Sequence, residues 1–439
     1  MGIISQLFNT RASGSYRPSD PALADLWGGR SSSSNQHVTP DTALRTSAVY
    51  ACVTVLSQTL AMLPKQVLGV GADGSKTPQP DHRLTKQLRH RPNRWQSAFE
   101  FYEMMEGHRL LRGNAYAKIV FNPGRQQNEL VPMHPDYVWP FVITPEGITY
   151  YLYDTSPCPP EGSALWYQHF PQNGNSEILA ASEVLHVRAY SINGIVGISA
   201  IRWAAFQAVG LAMATEEHGA KLFANGAQVA KVFTHPGKLK QDTIDRLEER
   251  IASKFGGSAN AAKSMILTDG LTIEKVGMTA DESQFLETRK FQVEDIARIF
   301  NVPLIMIGAG DKAPTYASAE NFFMSFKIHT MQPNIERWEA ALERALLYPS
   351  ELGRIEIDFD MDSMMRGDAV ARSTYLKNRF EIASMTPDEV RKYEGENPTN
   401  TTEGGRLYLQ SGMMPASMAG AQPVNLNGQQ GGKRDGSST

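Results

Sequence analysis

Two long helical patterns enclose a compact insert in the middle of this chain. The first begins at Gly197-Ile198-Ser199 and runs to Leu222-Phe223, which predicts a helix of roughly 40 Å. The second covers residues 282–300 and predicts a helix of roughly 28 Å. Between them, residues 227–280 show strand, helix and strand patterns in βαβ-like order. This order predicts a pair of helices that carries a small separate unit.

The second helical pattern, QFLETRKFQVEDIARIFNVP at 284–303, is charged in its first half and has an apolar stripe in its second. Val302-Pro303 ends it, because proline lacks an N–H and disfavours helix at the residue before it. Two interpretations of the charges stay open: a solvated helix face, or pairing between identical helices packed side by side in a ring. The candidate pairing residues are Glu287, Arg289, Lys290, Glu294, Asp295 and Arg298.

The remaining patterns predict an α+β fold with an antiparallel sheet. Helices are expected from an N-cap at Thr39 to Leu63-Pro64, over 97–112, over 317–347 with a kink at Pro333, and over 368–383 and 387–394. Strands are expected at KQVLGV, AYAKIVFN, YVWPFVI, ITYYLY, EVLHVRAY and RIEIDFDMD, the last as a half-buried strand.

Composition narrows the possible classes of protein. The chain has 439 residues, a formal net charge of −3 and 41% hydrophobic residues, which allows packed cores but gives no overall nucleic-acid signature. Cys52 and Cys158 form no metal-binding or disulfide pattern. No stretch reaches about 18 uncharged apolar residues, so no membrane-spanning helix is expected. Residues 1–37 and 414–439 are rich in small and polar residues and are expected to be flexible.

No motif in the sequence predicts catalysis. GAGDKAPT at 308–315 lacks the GxxxxGK spacing, followed by Ser or Thr, of a phosphate-binding loop, which favours a mobile loop between two helices. The aspartates of the strand at 354–362 alternate with apolar residues. The sequence around them lacks the Gly and the Glu that an EF-hand loop needs. A solvated strand face is therefore favoured there. We expect neither an enzyme nor a bound cofactor or metal ion.

Several blocks of the sequence occur in a recognisable order. The strongest is FLETRKFQVEDIARIFNVPLIMIG at 285–308, followed by a variable segment and then AENFFMSFKIHTMQPNIERWEAAL. Further blocks are SAVYACVTVLSQTLAMLP at 47–64, GNAYA at 113–117, GISAIRWAA at 197–205, KLFANGA at 221–227 and MRGDAVAR at 365–372. Over roughly 40–400, the chain resembles the portal proteins of tailed bacteriophages, the head-to-tail connector family.

The resemblance implies a portal fold assembled as a ring, usually of twelve subunits, around a DNA channel at one capsid vertex. The implied parts are an N-terminal arm (1–37), a wing (38–198 and 300–367), two stem helices (199–226 and 281–299), a small α/β clip (227–280), a helical crown (368–413) and a disordered tail (414–439). Within the wing, residues 308–320 would form the tunnel loop, before the kinked helix at 317–347.

The resemblance also implies partners and site residues. The tunnel-loop residues expected to face DNA are Asp311, Lys312, Thr315 and Tyr316. The clip residues expected on a docking surface are Lys240, Glu248, Glu249 and Lys254. The implied partners are further copies of the chain, double-stranded DNA, the terminase large subunit, the major capsid protein and head-completion or adaptor proteins. Assembly would take place in the cytoplasm of the host bacterium, and the final location would be the portal vertex of the virion.

Two other functions are compatible with the sequence. A nucleotide- or metal-dependent hydrolase would use Lys312 or the strand that carries Asp358, and it would lose ATP or metal binding on Lys312→Ala or Asp360→Ala. A simple DNA-binding module would bind free duplex tightly and with strong salt dependence, whereas a channel in which DNA slides needs weak contacts.

Overall fold

The computed structural model of the protein describes residues 30–34, 36–122, 127–171, 174–224, 231–234, 272–275, 281–309, 322–361, 369–399 and 401–408. The chain divides into two compact units, Met1–Met361 and Asp362–Thr439. The first unit mixes helices and sheets, and the described part of the second contains two helices.

The secondary structure confirms the predicted α+β class. The helices are α1 (Pro40–Ala43), α2 (Ser47–Met62), α3 (Arg83–Arg89), α4 (Ala98–Arg112), α5 (Phe206–Ala224), α6 (Asp281–Ile299), α7 (Gln332–Leu346), α8 (Ala369–Glu381) and α9 (Pro387–Tyr393). The strands are β1 (Arg30–Ser31), β2 (His37–Val38), β3 (Lys65–Val70), β4 (Lys76–Pro78), β5 (Asn114–Asn122), β6 (Gln127–Met133), β7 (Val138–Ile143), β8 (Thr149–Tyr151), β9 (Ala164–His169), β10 (Glu177–Ala180), β11 (Val184–Arg188), β12 (Lys231–Thr234), β13 (Thr272–Lys275) and β14 (Ile355–Phe359).

The strands pair antiparallel throughout the described residues, but they do not form one sheet. The orders are β14-β3-β4, β11-β5-β6 and β10-β9-β7-β8, with two-stranded pairs β1-β2 and β12-β13. The predicted antiparallel pairing is therefore confirmed, whereas the division of the described strands into separate sheets was not predicted. Alternating apolar residues determine which face of a strand is buried, but they do not determine which neighbour it pairs with.

The single helix predicted from Thr39 to Leu63 is two helices in the structure. Thr39 caps α1 as predicted: its hydroxyl accepts from the Thr42 N–H at 3.1 Å, and the Thr42 hydroxyl accepts from the Thr39 N–H at 2.8 Å. α1 ends at Ala43, and the extended backbone of Thr46 separates it from α2. Neither proline nor glycine marks this break in the sequence, which is why the pattern missed it.

α4 matches its prediction and docks onto the segment that leads to the first long helix. It begins at a Ser97 capping box and ends at Gly113, whose φ of 79° suits glycine. A Cβ on Gly197 would lie 2.0 Å from the Gly113 carbonyl oxygen, so only glycine permits this backbone contact. The Asn114 side chain accepts from the Gly197 N–H at 2.7 Å and donates to the Gly197 carbonyl at 2.9 Å. Two blocks of the sequence, GNAYA and GISAIRWAA, thus meet in space.

The core of the first unit includes an aromatic cluster between α4, α7 and β14. The Tyr102 ring packs edge to face against Trp338 and Phe359, at centroid distances of 5.2 and 5.6 Å. The buried Lys65 amine lies 4.2 Å from the Tyr102 ring centre and donates to the Ala61 carbonyl at 2.7 Å. The Lys65 amine thus caps the C-terminus of α2, and burial lowers its pKa to about 7.

β14 confirms the predicted half-buried strand and is covered along its outer edge. Ile357 and Phe359 are buried. Their N–H groups donate to Glu343 at 3.0 Å and to Glu339 at 2.8 Å, two carboxylates one turn apart on α7. These hydrogen bonds satisfy edge groups that would otherwise be open to pairing with another strand.

The helical regions of α5 and α7 each contain a π-helical segment that the sequence did not predict. Ile201–Ala205 precedes α5, and Phe326–Met331 precedes α7. Pro333, where a kink is predicted, lies in the first turn of α7, and helical structure continues through it. The proline is accommodated next to a wider π turn, and the helix does not end there.

The predicted flexible arm is ordered at its end. β1 and β2 form a hairpin within residues 30–38 that lies on α5. The Ser33 N–H donates to Gln207 Oε1 at 3.0 Å, and a Cβ on Gly210 would lie 2.3 Å from the Ser32 Cβ. Gly210 therefore lets the hairpin approach the helix closely. Residues 1–29 of the predicted arm lie outside the described residues.

The second unit and the insert are described only in part. Thr386 caps α9 with a capping box, and Arg372 on α8 pairs with Glu394 at 3.0 Å. Of the insert, the antiparallel pair β12–β13 is described, whereas its predicted helix lies outside the described residues, as does 409–439.

Candidate functional site

Helix α6 changes character along its length. Residues 287–291 are all exposed, and five consecutive positions cover more than one helical turn, so a single chain buries no face of the helix there. Farther on, Gln292, Ile296, Ala297 and Phe300 are buried. The predicted change from a charged half to an apolar half is therefore confirmed as a change from exposed to buried.

The charged residues predicted on this helix lie where the sequence places them. Five of the six are exposed, and Asp295 is partly buried: the exposed ones are Glu287, Arg289, Lys290, Glu294 and Arg298. Arg298 donates to Asp295, three residues before it on the same helix. Phe291 lies among the charges with 58% of its surface exposed. The role of these residues between subunits stays a prediction.

α6 packs against α5 through its buried half. Gln292 Nε2 donates to the Thr215 hydroxyl at 3.3 Å in a buried setting, and that hydroxyl donates to the Leu211 carbonyl at 2.7 Å. Ala212 on α5, three residues before Thr215, is also buried. The two long helices therefore lie together, as their order in the sequence predicts.

α6 ends in a Schellman motif one residue before the predicted stop. Asn301 has φ of 54°, a left-handed conformation that asparagine tolerates better than most residues. The Asn301 N–H bonds to the Arg298 carbonyl at 3.1 Å, and the Val302 N–H bonds to the Ala297 carbonyl at 2.9 Å. Pro303 then prevents any continuation of the helix.

The chain beyond α6 forms a 3-10 turn, Leu304–Ile307, and reaches Gly308, which has φ of 72°. Residues 310–321 lie outside the described residues. This includes all four predicted DNA-facing positions, which are Asp311, Lys312, Thr315 and Tyr316. The four predicted docking residues of the insert also lie outside: Lys240, Glu248, Glu249 and Lys254. These assignments stay predictions.

The described part of the next helix begins with an exposed apolar turn. Residues 322–325 are all exposed, a full turn, and they include Phe322, Phe323 and Met324. Ile328, one turn later, is 49% exposed. Monomeric proteins rarely expose large apolar side chains grouped in this way.

A buried polar cluster fixes α7 to α4 below this turn. Glu106 and Arg109 form an ion pair with side chains 1% and 3% exposed. The Trp338 indole donates to Glu106 at 2.8 Å, and Arg109 donates to Asn334 Oδ1 at 2.9 Å. Burial and the positive charge of the nearby Arg109 lower the pKa of Arg337, whereas the negative charge of Glu106 raises it. Sequence reasoning missed this cluster, because the acid–arginine spacing on α4 resembles that of a solvated helix.

Asp358, the aspartate within β14, has a protein partner. Asp358 accepts from Gln66 Nε2 at 2.8 Å across the β14–β3 pair. In the part of the chain that the structure describes, no three His, Cys, Asp or Glu side chains are grouped so that they could hold a metal ion; Asp362 lies outside it. Within the same residues, no helix has the length and apolar character to span a membrane.

A family model and two relatives of this chain are described as portal proteins. The family model described as phage portal protein matches residues 47–395. The chain is 28% identical over 358 residues to the portal protein of Enterobacteria phage HK97, covering 81% of this chain and 80% of that protein. It is 29% identical over 390 residues to the probable portal protein of Streptomyces phage phiC31, covering 87% of this chain and 81% of that protein.

A solved structure shares the fold. The neck of an empty gene transfer agent particle, computed with C6 symmetry, superposes with a TM-score of 0.53 at 22% identity, covering 82% of this chain and 94% of that one. The family model spans both long helices, the insert between them and helices of both units. The chain therefore belongs to the phage portal protein family.

Proposed function

We propose that this chain is the subunit of a portal, a ring whose channel passes double-stranded DNA into a capsid during packaging and out of it during ejection. One observation carries this function: the portal family model matches residues 47–395, across both compact units. In this role the chain is a conduit and a docking platform, and no step depends on a catalytic residue.

Two exposed surfaces support assembly into a ring. The first is the fully exposed turn at 287–291 on α6, and the second is the apolar turn at 322–325. Monomeric proteins rarely leave a turn of large apolar residues uncovered, and a closed ring would cover the same surface in every subunit. Neck structures of similar fold were computed with C6 and with C12 symmetry. We assign this chain a ring of twelve subunits.

The parts of the ring follow the order of the elements. We assign α5 and α6 to the stem, the insert at 227–280 to the clip, and 368–413 to the crown; the wing takes the rest of the folded chain. The start of the second unit at Asp362 supports a separate crown. The clip would dock the terminase large subunit and later the head-completion proteins, and the wing would contact the major capsid protein. The assembled ring would reside at one vertex of the virion.

Electron microscopy of the purified protein tests this function. We expect rings with a central channel, and native mass spectrometry should give the subunit number. Particles that stay monomeric at every concentration would contradict the portal assignment.

Variants of the apolar turn test which surface holds the ring together. Phe322→Ser with Phe323→Ser should lower the fraction of assembled rings without unfolding the chain, because both side chains are already exposed. Phe121→Ser is the matched control, since Phe121 is also an exposed phenylalanine but lies on β5. Equal assembly of both variants would contradict a role for the apolar turn.

A further inference from the structure

Asn301, the left-handed residue that ends α6, also bonds to the helix that follows residues 310–321. Its side-chain Nδ2 donates to the His329 carbonyl at 2.9 Å. Its own carbonyl accepts from the Thr330 hydroxyl at 2.6 Å. Both partners belong to the π-helical segment Phe326–Met331. The end of the stem helix is therefore joined to a part of the chain that comes 28 and 29 residues later.

Pro333 gives a reason for an asparagine amide at this place. In an α-helix, the N–H of residue 333 would bond to the His329 carbonyl four residues before it, but proline has no N–H. The preceding helix runs in the π register, in which the Gln332 N–H bonds to the Lys327 carbonyl. Asn301 thus donates to the carbonyl that would be the α-helical partner of Pro333.

The same segment is connected to the wing. The Thr330 carbonyl accepts from Asn334 Nδ2 at 2.9 Å, and Asn334 Oδ1 accepts from Arg109 Nη2 at 2.9 Å. Arg109 is in turn paired with Glu106 inside the core. A continuous series of hydrogen bonds therefore runs from Asn301 at the end of the stem, through the π-helical segment, to α4.

We propose that Asn301 is a positioning residue whose amide and carbonyl hold the end of α6 against the π-helical segment. The described residues on either side of 310–321 then keep a fixed spacing, set by the wing core rather than by the chain between them. The biological meaning rests on the proposed function. In a portal, the segment that meets DNA would be anchored to the wing at both of its ends.

The alternative is that Asn301 is only a helix cap. Glycine is the residue most favoured at a left-handed C-terminal position, so a cap alone would work as well with glycine. Asn301→Gly keeps the backbone conformation and the carbonyl, and it removes only the amide. Asn301→Asp keeps the shape and replaces the donor by an acceptor. The two variants therefore separate positioning from capping.

Hydrogen exchange followed by mass spectrometry on the assembled protein measures the effect. Asn301→Gly and Asn301→Asp should each accelerate exchange in 326–332 about five- to tenfold, as expected for the loss of one hydrogen bond. Ala340→Ser, an exposed change on α7 two turns after Pro333, is the control and should leave this exchange unchanged. Unaltered or slower exchange in Asn301→Gly would overturn the positioning role.

A second background tests the link to Pro333. Pro333→Ala introduces an N–H that can bond to the His329 carbonyl in place of the Asn301 amide. In this background, Asn301→Gly should accelerate exchange in 326–332 by less than about twofold. An equal acceleration in both backgrounds would overturn the pairing with His329. If the wild-type protein forms no rings, the portal function fails, but the same exchange measurements on the unassembled chain still decide the role of Asn301.

Discussion

Two ion pairs in this chain have the same spacing along a helix and opposite surroundings. Glu106–Arg109 on α4 and Asp295–Arg298 on α6 each join an acid to an arginine three residues later. The side chains of the first pair are 1% and 3% exposed, and those of the second are 30% and 67% exposed. Trp338 adds a hydrogen bond to the first. Spacing on a helix determines which side chains can form an ion pair. Tertiary contacts determine how much that pair contributes to the free energy of unfolding.

The largest expected effect comes from the buried pair. Glu106→Gln would leave the Arg109 guanidinium buried without its counter-charge and would weaken the bond to Trp338. Breaking a buried pair by removing one partner costs about 3–5 kcal/mol. The free energy of unfolding, measured by urea denaturation with circular dichroism, should fall by this amount.

Asp295→Asn is the matched control for this measurement. It breaks a pair of the same spacing on an exposed helix face, where ion pairs contribute roughly 0–1 kcal/mol. The comparison between the pairs would be contradicted if the two variants lowered the unfolding free energy equally.

The sequence predicted the features that depend on neighbours along the chain. The α4 boundaries follow from Ser97 and Gly113, and the end of α6 follows from the change from charge to apolar stripe and from Pro303. The half-buried β14 follows from strict alternation. Each of these signals lies within a few residues of the feature that it predicts, so no tertiary contact was needed to interpret it.

The features that the sequence missed depend on residues far apart. The β1–β2 hairpin is ordered because it meets Gly210 on α5, and the sheets are separate because of long-range strand pairing. Asn301 could have been recognised as a left-handed residue before Val-Pro, but its bond to His329 has no local signal. The site residues at 311–316 and in the insert lie outside the described residues and stay predictions.

The exposed half of α6 gives the second prediction. Arg289→Glu with Lys290→Glu changes charges that a single chain leaves exposed. If neighbouring subunits meet there, about tenfold more protein should be needed for half-assembly, equivalent to about 1.4 kcal/mol. The unfolding free energy of the unassembled chain should change by less than about 0.5 kcal/mol. Analytical ultracentrifugation and urea denaturation measure the two quantities.

Exchanging the two residues, as Arg289→Lys with Lys290→Arg, keeps the charge and serves as the control. The assembly defect of the charge reversal should also change with salt, because exposed charges are screened. Normal assembly together with a lowered melting temperature would show that these charges act within the chain, contrary to the prediction.

Glu339 on α7 is intermediate between the buried and the exposed ion pair, because its carboxyl is neither fully buried nor free in solvent. Burial raises its pKa from 4.5 to about 7, opposed by the hydrogen bond from the Phe359 N–H and reinforced by the charges of Asp358, Glu336 and Glu343. The folded chain therefore binds this proton more tightly than the unfolded chain. The resulting stability is fully present below about pH 4.5 and is lost as pH rises through 7.

Glu339→Gln removes the charge, so it should stabilise the chain relative to wild type at pH 8 and not at pH 4. We expect a gain of about 1 kcal/mol at pH 8, less than the full shift implies, because solvent screens a partly exposed carboxyl. Urea denaturation at both pH values measures it. Glu343→Gln, one turn later, makes the equivalent change at the Ile357 N–H and gives the cost of replacing a carboxylate acceptor by an amide. An equal effect of Glu339→Gln at both pH values, after that cost is subtracted, would mean that the carboxyl is ionised in the folded chain as readily as in solution.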